Sequence, residues 1–430
     1  MERIYIKDLK DHVGEEVIIK GFVDTLRDQN KIVFIILRDI TGKIQNVVLK
    51  DCSDFDLAKG LTEESVIEIE GLVKAEEQAP GGYEIETKNI TVLSKSEAEL
   101  PIPVNTKKGG EETNITSRLD YRFIDLRKES KTNIFKAWTA FERGMRKYFE
   151  ENNFIQVYTP SFMNTSSETG AEVFEVNYFD RKAYLAQSPQ FYKQMAIASG
   201  LEKVFMTGPV FRAEESFTTR HMTEFTGWDF EVGYIKDHND LMEIEEEMIK
   251  NGFEKIKAEL PDLDIEIPNT PFPRITIKEA KEKLDAAGVK GEKEHDLSPE
   301  EERKICEIIK EETGNDFVFI TDYHISIRPF YHMRHEDNPE LTKSADLLYR
   351  GIEITTLAQR EHRSEILEKQ AVEKKMDLEL LSKYLEFFKF GCPPHGGGGI
   401  GPARLFMKMF GYENVREVTF LPRDVNRLEP

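Results

Sequence analysis

Apolar and polar residues alternate most clearly in the first hundred positions. Residues 16–23, 31–38, 44–49, 65–73 and 83–87 are rich in β-branched side chains set in alternation with polar ones, the period of a strand with one buried face. Asp39-Ile-Thr-Gly42 and Ala79-Pro-Gly-Gly82 supply turns between them. The polar stretch 51–64 after the third run allows a helix. Five strands with such an insertion predict an OB-fold, a small β-barrel that binds single-stranded nucleic acid on one face. Leu100-Pro-Ile-Pro103 breaks helix and strand alike, and 105–113, polar and glycine-bearing, reads as linker. The pattern then changes. Residues 141–154 have helical spacing, 155–160 read as a strand ending on Pro160, and the Glu/Lys-rich stretches 243–258 and 292–312 read as helices. The expected organisation is an α+β multidomain chain: a barrel over 1–100, a hinge over 101–135, and a body over 136–430 with helices inserted around 240–300.

Composition narrows the class. At 430 residues, 39% hydrophobic and 32% charged, the chain has ample material for a core and reads as a soluble folded protein. No apolar run approaches a membrane span, and the N-terminus lacks the basic and apolar regions of a signal peptide. Cys52, Cys306 and Cys392 are far apart and lack metal-ligand spacing, so a reduced, cytoplasmic setting is expected. A net charge of −21 argues against a nucleic-acid partner as a whole-molecule sum. Phosphate contacts need only a local basic track, so the sum excludes nothing.

Two stretches carry candidate chemistry. Residues 211–225 bring Arg212, Glu214, Arg220, His221 and Phe225 into one segment. The planar arginine fork suits a phosphate or carboxylate, and Phe225 offers a flat face to a base. Residues 393–405 hold four consecutive glycines, then Gly401 and Arg404. Glycines permit close backbone approach to a ligand, and the apolar stretch 405–410 reads as the start of a helix whose N-terminus would face phosphate. Taken singly, the first stretch also reads as charged strand edges joined by a polar loop, and the second as a flexible surface loop.

Together the two stretches resemble motifs two and three of the class II aminoacyl-tRNA synthetases. Residues 141–160 are similar to motif one, which in that family builds the dimer interface. The N-terminal module resembles the anticodon-binding domain of the aspartate and asparagine enzymes. The resemblance covers essentially the whole chain, and within the aspartate, asparagine and lysine subgroup it is closest to archaeal and eukaryotic aspartate enzymes. It implies an antiparallel sheet flanked by helices, a homodimer, ATP as substrate and Mg²⁺ as cofactor. It also implies a two-step reaction. L-aspartate attacks the α-phosphate of ATP to give aspartyl-adenylate and pyrophosphate, and the terminal ribose hydroxyl of tRNA(Asp) then takes the aspartyl group. Acceptance of tRNA(Asn) stays open, with Asp24 and Pro80 near the region where the family tunes it.

The resemblance also implies roles. Arg212 and Arg404 would be catalytic, Arg212 bridging the α-carboxylate and α-phosphate. ATP would further meet Glu214, Arg220, His221, Met222, Phe225, Glu353 and Gly401. Aspartate would meet Glu168, in a loop that closes over it, and Gln187, Gln190, Lys193, Asp229, Thr356 and Arg360. Lys193 follows the Gln-Ser-Pro-Gln of 187–190, a pattern similar to the aspartate enzymes. Physics agrees with that choice, because a buried carboxylate needs cations, whereas an asparagine side chain would leave both Lys193 and Arg360 unpaired. Asp346, Glu353 and Thr356 would hold Mg²⁺. Odd spacing puts the two carboxylates on opposite faces of one strand, and a loop or bulge near Arg350-Gly351 would let them converge; the alternative is two exposed carboxylates. Phe34 would stack on an anticodon base, with Gln45 and Glu70 at base edges; the alternative is that Phe34 is a core residue. The arginines of 118–127 would touch tRNA backbone or stay solvated. Two positions depart from the family: Leu357 replaces a glycine and is expected to narrow the amino-acid pocket, and Ala403 replaces a glutamate and is expected to loosen Arg404. Three rivals remain: an asparagine enzyme, a tRNA-independent ligase on the same body, and a non-catalytic paralogue.

Overall fold

The computed structural model describes residues 2–105, 112–164, 172–291 and 293–429; the expectation for Glu168 lies outside them. The chain divides into two compact units, Met1–Ser117 and Arg118–Pro430.

In the first unit, β1 (Glu16–Asp28), β2 (Ile32–Asp39), β3 (Gly42–Leu49), β4 (Val66–Ala75) and β5 (Tyr83–Ser94) close into a barrel of order β1-β2-β3-β5-β4. The alternation in the sequence sets which residues enter it. Val17, Ile19, Val33, Ile35, Leu37, Ile67 and Ile69 are buried inside, and the short helix Phe55–Lys59 adds Phe55 and Ala58 to the same core. Phe34 falls between Val33 and Ile35 and so faces outward, half-buried. It is not a core residue. Gln45 and Glu70 are half-buried too, engaged by Glu84 (2.8 Å) and Asn89 (2.9 Å). Asp24 is committed to Arg38 and Lys43.

The second unit is built on an eight-stranded sheet. Its strands are β6 (Ile155–Gln156), β10 (Lys203–Phe211), β11 (Glu224–Gly233), β12 (Arg274–Thr276), β13 (Phe317–Thr321), β14 (Ser344–Tyr349), β15 (Ile352–Arg360) and β16 (His395–Ile400), ordered β12-β13-β14-β15-β16-β11-β10-β6. Three short strands, β7 (Phe162–Met163), β8 (Glu175–Tyr178) and β9 (Arg181–Leu185), form a separate sheet. The helices Glu129–Glu151 and His238–Glu259 cover one face of the large sheet through Phe141, Met145, Leu241, Met248 and Phe253. They cross closely because Gly144 and Gly252 lack side chains; a Cβ on Gly144 would lie 2.2 Å from the Asn251 carbonyl. Among the described residues no helix is long and apolar enough to cross a membrane.

Two of the three arginines in 118–127 are buried, whereas Arg127 is half-buried. Arg118 and Arg122 are 4% and 0% exposed. They fold into short helices and turn into the body, where Arg118 donates to Glu417 and Arg122 to Asp125 (2.7 Å) and the Glu417 carbonyl (2.8 Å). Lys131 also donates to Glu417 (2.9 Å). They neither lie on a solvated surface nor reach for RNA, because each buried guanidinium has found carboxylate and carbonyl partners. Burial alone would raise the Glu417 carboxyl, but Arg118 and Lys131 outweigh it and hold its pKa at about 2. A depressed carboxylate stabilises the fold above its unfolded pKa, and that contribution is lost as pH falls toward the folded value. Glu417→Gln is therefore expected to lower Tm at pH 7, and to flatten the acid limb of stability between about pH 4.5 and about 2. Thermal unfolding across that range checks it.

Candidate active site

The site lies on the sheet face away from the two long helices, over β15, β16 and β11. Register places Asp229 opposite Gly399 and Glu231 opposite Gly397, while Thr356 and Ala358 meet the same two glycines from the other side. Since alternate residues share a face, Asp229, Glu231, Thr356 and Arg360 lie over the glycines. Phe230 and Leu357 point into the core beneath. The glycine run is thus a central strand, not a loop. A Cβ at Gly397 would sit 2.0 Å from the Phe230 carbonyl and 2.3 Å from Glu231 Oε2, so only glycine lets the carboxylates settle there. Leu357, 0% exposed, packs beside Gly398 on the core side. It does not narrow the pocket.

One cavity, of about 240 Å³, has Gln190, Lys193, Arg328, Tyr331, His332, Thr356 and Arg360 in its lining. Lys193, on the helix Gln190–Ala198, donates to Asp229 Oδ1 (2.8 Å) and the Gly398 carbonyl (3.0 Å) and lies 3.4 Å from Glu231 Oε2. Arg360 donates to Glu231 Oε1 (3.1 Å), the Gly397 carbonyl (2.8 Å) and His332 Nε2 (3.1 Å). Glu231 is 0% exposed, so one buried carboxylate draws both cations to a single point.

A second cavity, of about 320 Å³, shares Ser188, Arg212, Asp229, Glu353 and Gly399 with the first. The remaining lining includes Gln187, Glu214, Arg220, His221, Met222, Phe225, Gly401 and Arg404. The Arg212 guanidinium lies 5.6 Å over the Phe225 ring. Gly401 opens the helix Pro402–Met409, and Arg404 in its first turn donates to the Glu353 carbonyl (3.0 Å). Its guanidinium also lies 3.6 Å from the Glu353 carboxylate, so Arg404 is oriented despite Ala403. Burial and the charges of Arg404, Arg220 and Arg212 bring His221 down to about 4, making it a neutral ring at pH 7.

Asp346 and Glu353 do come together. Arg350 and Gly351 both have positive φ, 46° and 84°, the two-residue turn that suits a hairpin. A register shift between Leu347 and Leu348 then brings Asp346 opposite Thr356. Thr356 Oγ1 donates to Asp346 Oδ1 (2.8 Å) and lies 3.4 Å from Glu353 Oε1. Arg328 binds the other Asp346 oxygen (2.6 Å).

Several residues escape sequence reasoning. Glu231 is two residues from Asp229 on the same strand, so alternation could have found it. Arg328 and His332 come from an irregular connection after β13, where no period exists to read. Glu302 pairs with Arg220. It is placed by a helix that opens with a reciprocal Ser298–Glu301 capping box and ends on Gly314.

Comparison with known proteins agrees with this geometry. A family model for class II tRNA synthetases (D, K and N) matches residues 114–425, and one for an OB-fold nucleic acid binding domain matches 17–93. An aspartate–tRNA(Asp/Asn) ligase of Methanopyrus kandleri is 43% identical over 97% of this chain and 96% of its own length. An aspartate–tRNA(Asp) ligase of Thermoplasma volcanium is 41% identical over the whole of both chains. The asparaginyl-tRNA synthetase of Pyrococcus horikoshii, solved with asparaginyl-adenylate, superposes with a TM-score of 0.92 at 32% identity over all of both chains. An aspartyl-tRNA synthetase of Entamoeba histolytica gives 0.89 at 32%, covering all of this chain and 93% of that one. On these matches and this fold, the chain belongs to the class II aminoacyl-tRNA synthetases of the D, K and N group.

Proposed function

We propose that this chain is an aspartate–tRNA ligase. The observation that carries the reading is the convergence of Lys193 and Arg360 on the buried Glu231 carboxylate in the lining of a cavity that shares Ser188, Arg212, Asp229, Glu353 and Gly399 with a larger one. A side-chain carboxylate seated there would meet two fixed cations. An uncharged amide would forgo those charge-assisted hydrogen bonds and leave Lys193 and Arg360 to Asp229 and Glu231 alone. Asp229 and Gln190 would take the amino acid's ammonium group. The reaction requires no protein nucleophile. Arg212 lies in both cavities, where the α-carboxylate must approach the α-phosphate, and would neutralise charge as it builds at phosphorus. Phe225 would carry the adenine ring. Arg220, Arg404 and neutral His221 would hold the outer phosphates.

The donor set at Asp346, Glu353 and Thr356 fits Mg²⁺. Burial raises the Asp346 carboxyl; Arg328 opposes this, and the neighbouring Glu353 carboxylate adds to it. Two carboxylates that repel each other, of which Glu353 lines both cavities, favour a hard dication. Among the described residues no cluster of three or more His, Cys, Asp or Glu could hold a metal, so substrate phosphates and water would complete the coordination. A bound ion would offset phosphate charge there.

The homodimer belongs to the same reading. Ile155, Tyr158 and Phe162, within eight residues of one another just after the long helix, are 46%, 81% and 52% exposed, and large apolar side chains left in solvent fit an interaction surface. The barrel would read the anticodon, with Phe34 as stacking platform and Gln45 and Glu70 at base edges. Base–aromatic stacking contributes roughly 1–3 kcal/mol. Phe34→Ala is thus expected to cut the kcat/KM for tRNA by about tenfold or more, leaving tRNA-independent ATP–pyrophosphate exchange unchanged. Charging assays on purified tRNA(Asp) and tRNA(Asn) test the function itself. Aspartylation of tRNA(Asp) supports it, and charging of neither refutes it.

A further inference from the structure

Behind the smaller cavity runs a chain of buried polar groups to which no role has so far been given. Gln194 and His395 are both 0% exposed, and Tyr384 is 5% exposed. His395 Nδ1 lies 2.9 Å from the Pro393 carbonyl. A carbonyl only accepts, so Nδ1 carries the ring proton. His395 Nε2 is then an acceptor, and at 3.0 Å it accepts a hydrogen bond from the Gln194 amide nitrogen. That fixes which way Gln194 points. Its oxygen accepts from Tyr384 Oη (3.0 Å) and from the Gln190 amide nitrogen (2.9 Å). With its nitrogen committed, Gln190 has its carbonyl oxygen left for the cavity it lines. Burial holds His395 down to about 4, against the opposing pull of Glu231 and the Pro393 carbonyl, so the ring is neutral at working pH and the Pro393 carbonyl sets its tautomer.

We propose that Gln194 and His395 are positioning residues: they lock Gln190 with its carbonyl oxygen turned into the cavity, to accept from the ammonium group of the bound amino acid. The inference rests on the aspartate reading above. The cavity sets four cationic donors, Lys193, Arg212, Arg328 and Arg360, against two carboxylates, Asp229 and Glu353. A freely rotating Gln190 amide could offer its nitrogen instead, adding one more donor where the substrate brings its own.

The test uses the full chain, aspartate-dependent ATP–pyrophosphate exchange, and succinate as competitive inhibitor. Succinate is aspartate without the ammonium group. Gln194→Met keeps the side-chain length and removes both polar ends. It is expected to raise the KM for aspartate at least tenfold, with the KM for ATP and the inhibition constant of succinate within twofold of wild type. Gln194→Glu keeps an oxygen for Gln190 and Tyr384 and is expected to stay within threefold of wild type on aspartate. If aspartate and succinate weaken together in Gln194→Met, or neither changes, the lock is overturned. A tenfold loss in Gln194→Glu overturns it too, so the lock stays open to refutation should Gln194→Met fail to fold. No exchange with aspartate by the wild-type protein would overturn the aspartate reading itself; exchange by the wild type with equal shifts would overturn the lock alone.

Discussion

Arg360→Leu is expected to remove aspartate-dependent ATP–pyrophosphate exchange, with kcat/KM falling roughly 10³-fold or more. Arg360 is 3% exposed and binds Glu231, the Gly397 carbonyl and His332 at once. Leucine would leave Glu231 with Lys193 alone and the substrate carboxylate with one cation instead of two. Truncating one partner of a buried, hydrogen-bonded charge pair costs about 2–5 kcal/mol, and about 4 kcal/mol corresponds to roughly 10³ in rate. Misfolding would give the same loss, so a second readout is needed. Arg360 does not line the larger cavity, and ATP affinity by calorimetry is expected to remain within about threefold. Near-normal exchange would refute the role given to Arg360.

Arg212→Ala is expected to act on kcat. Arg212 belongs to both cavities, its Nε has no partner among the described groups, and its side chain is 40% exposed. Little folding stability depends on it, so Tm should move by no more than about 2 °C. Removing a preorganised donor aimed at developing charge costs about 10²–10³ in kcat, and losing a full charge places this variant at the upper end. Arg212→Lys keeps the charge without the planar fork and should fall between. Single-turnover adenylate formation checks both. A variant with normal adenylate formation would mean that Arg212 binds substrate without assisting the chemistry.

The barrel was legible because each of its strands alternates. The five runs read in the sequence all fall on strands, and the structure lengthens β1 and β5 beyond them. The pairing of Asp346 with Glu353 rested on the family resemblance, since the parity of their spacing says only that one straight strand would part them, and the register shift that joins them carries no sequence signal. The glycine run was not legible, because four glycines carry no side-chain period and their approach to Glu231 and Phe230 is a long-range fact. The same strand explains Leu357: once β15 is paired with β16, parity sends it to the core. Arg118 and Arg122 misled because a lone arginine is usually exposed, and their partner Glu417 is some three hundred residues away. Arg328 and His332 had no local signal. They reach the pocket only because the sheet brings β13 beside β14.

The central claim is that paired cations, gathered by one hidden glutamate, select an acid over its amide. ATP–pyrophosphate exchange by the purified protein, run in parallel with aspartate and with asparagine, tests it most directly. A preference for aspartate of roughly 10- to 100-fold in kcat/KM is expected, since a hydrogen bond to a charged group contributes about 1.5–3 kcal/mol over its neutral counterpart. Equal rates with the two amino acids, or a preference for asparagine, would contradict it.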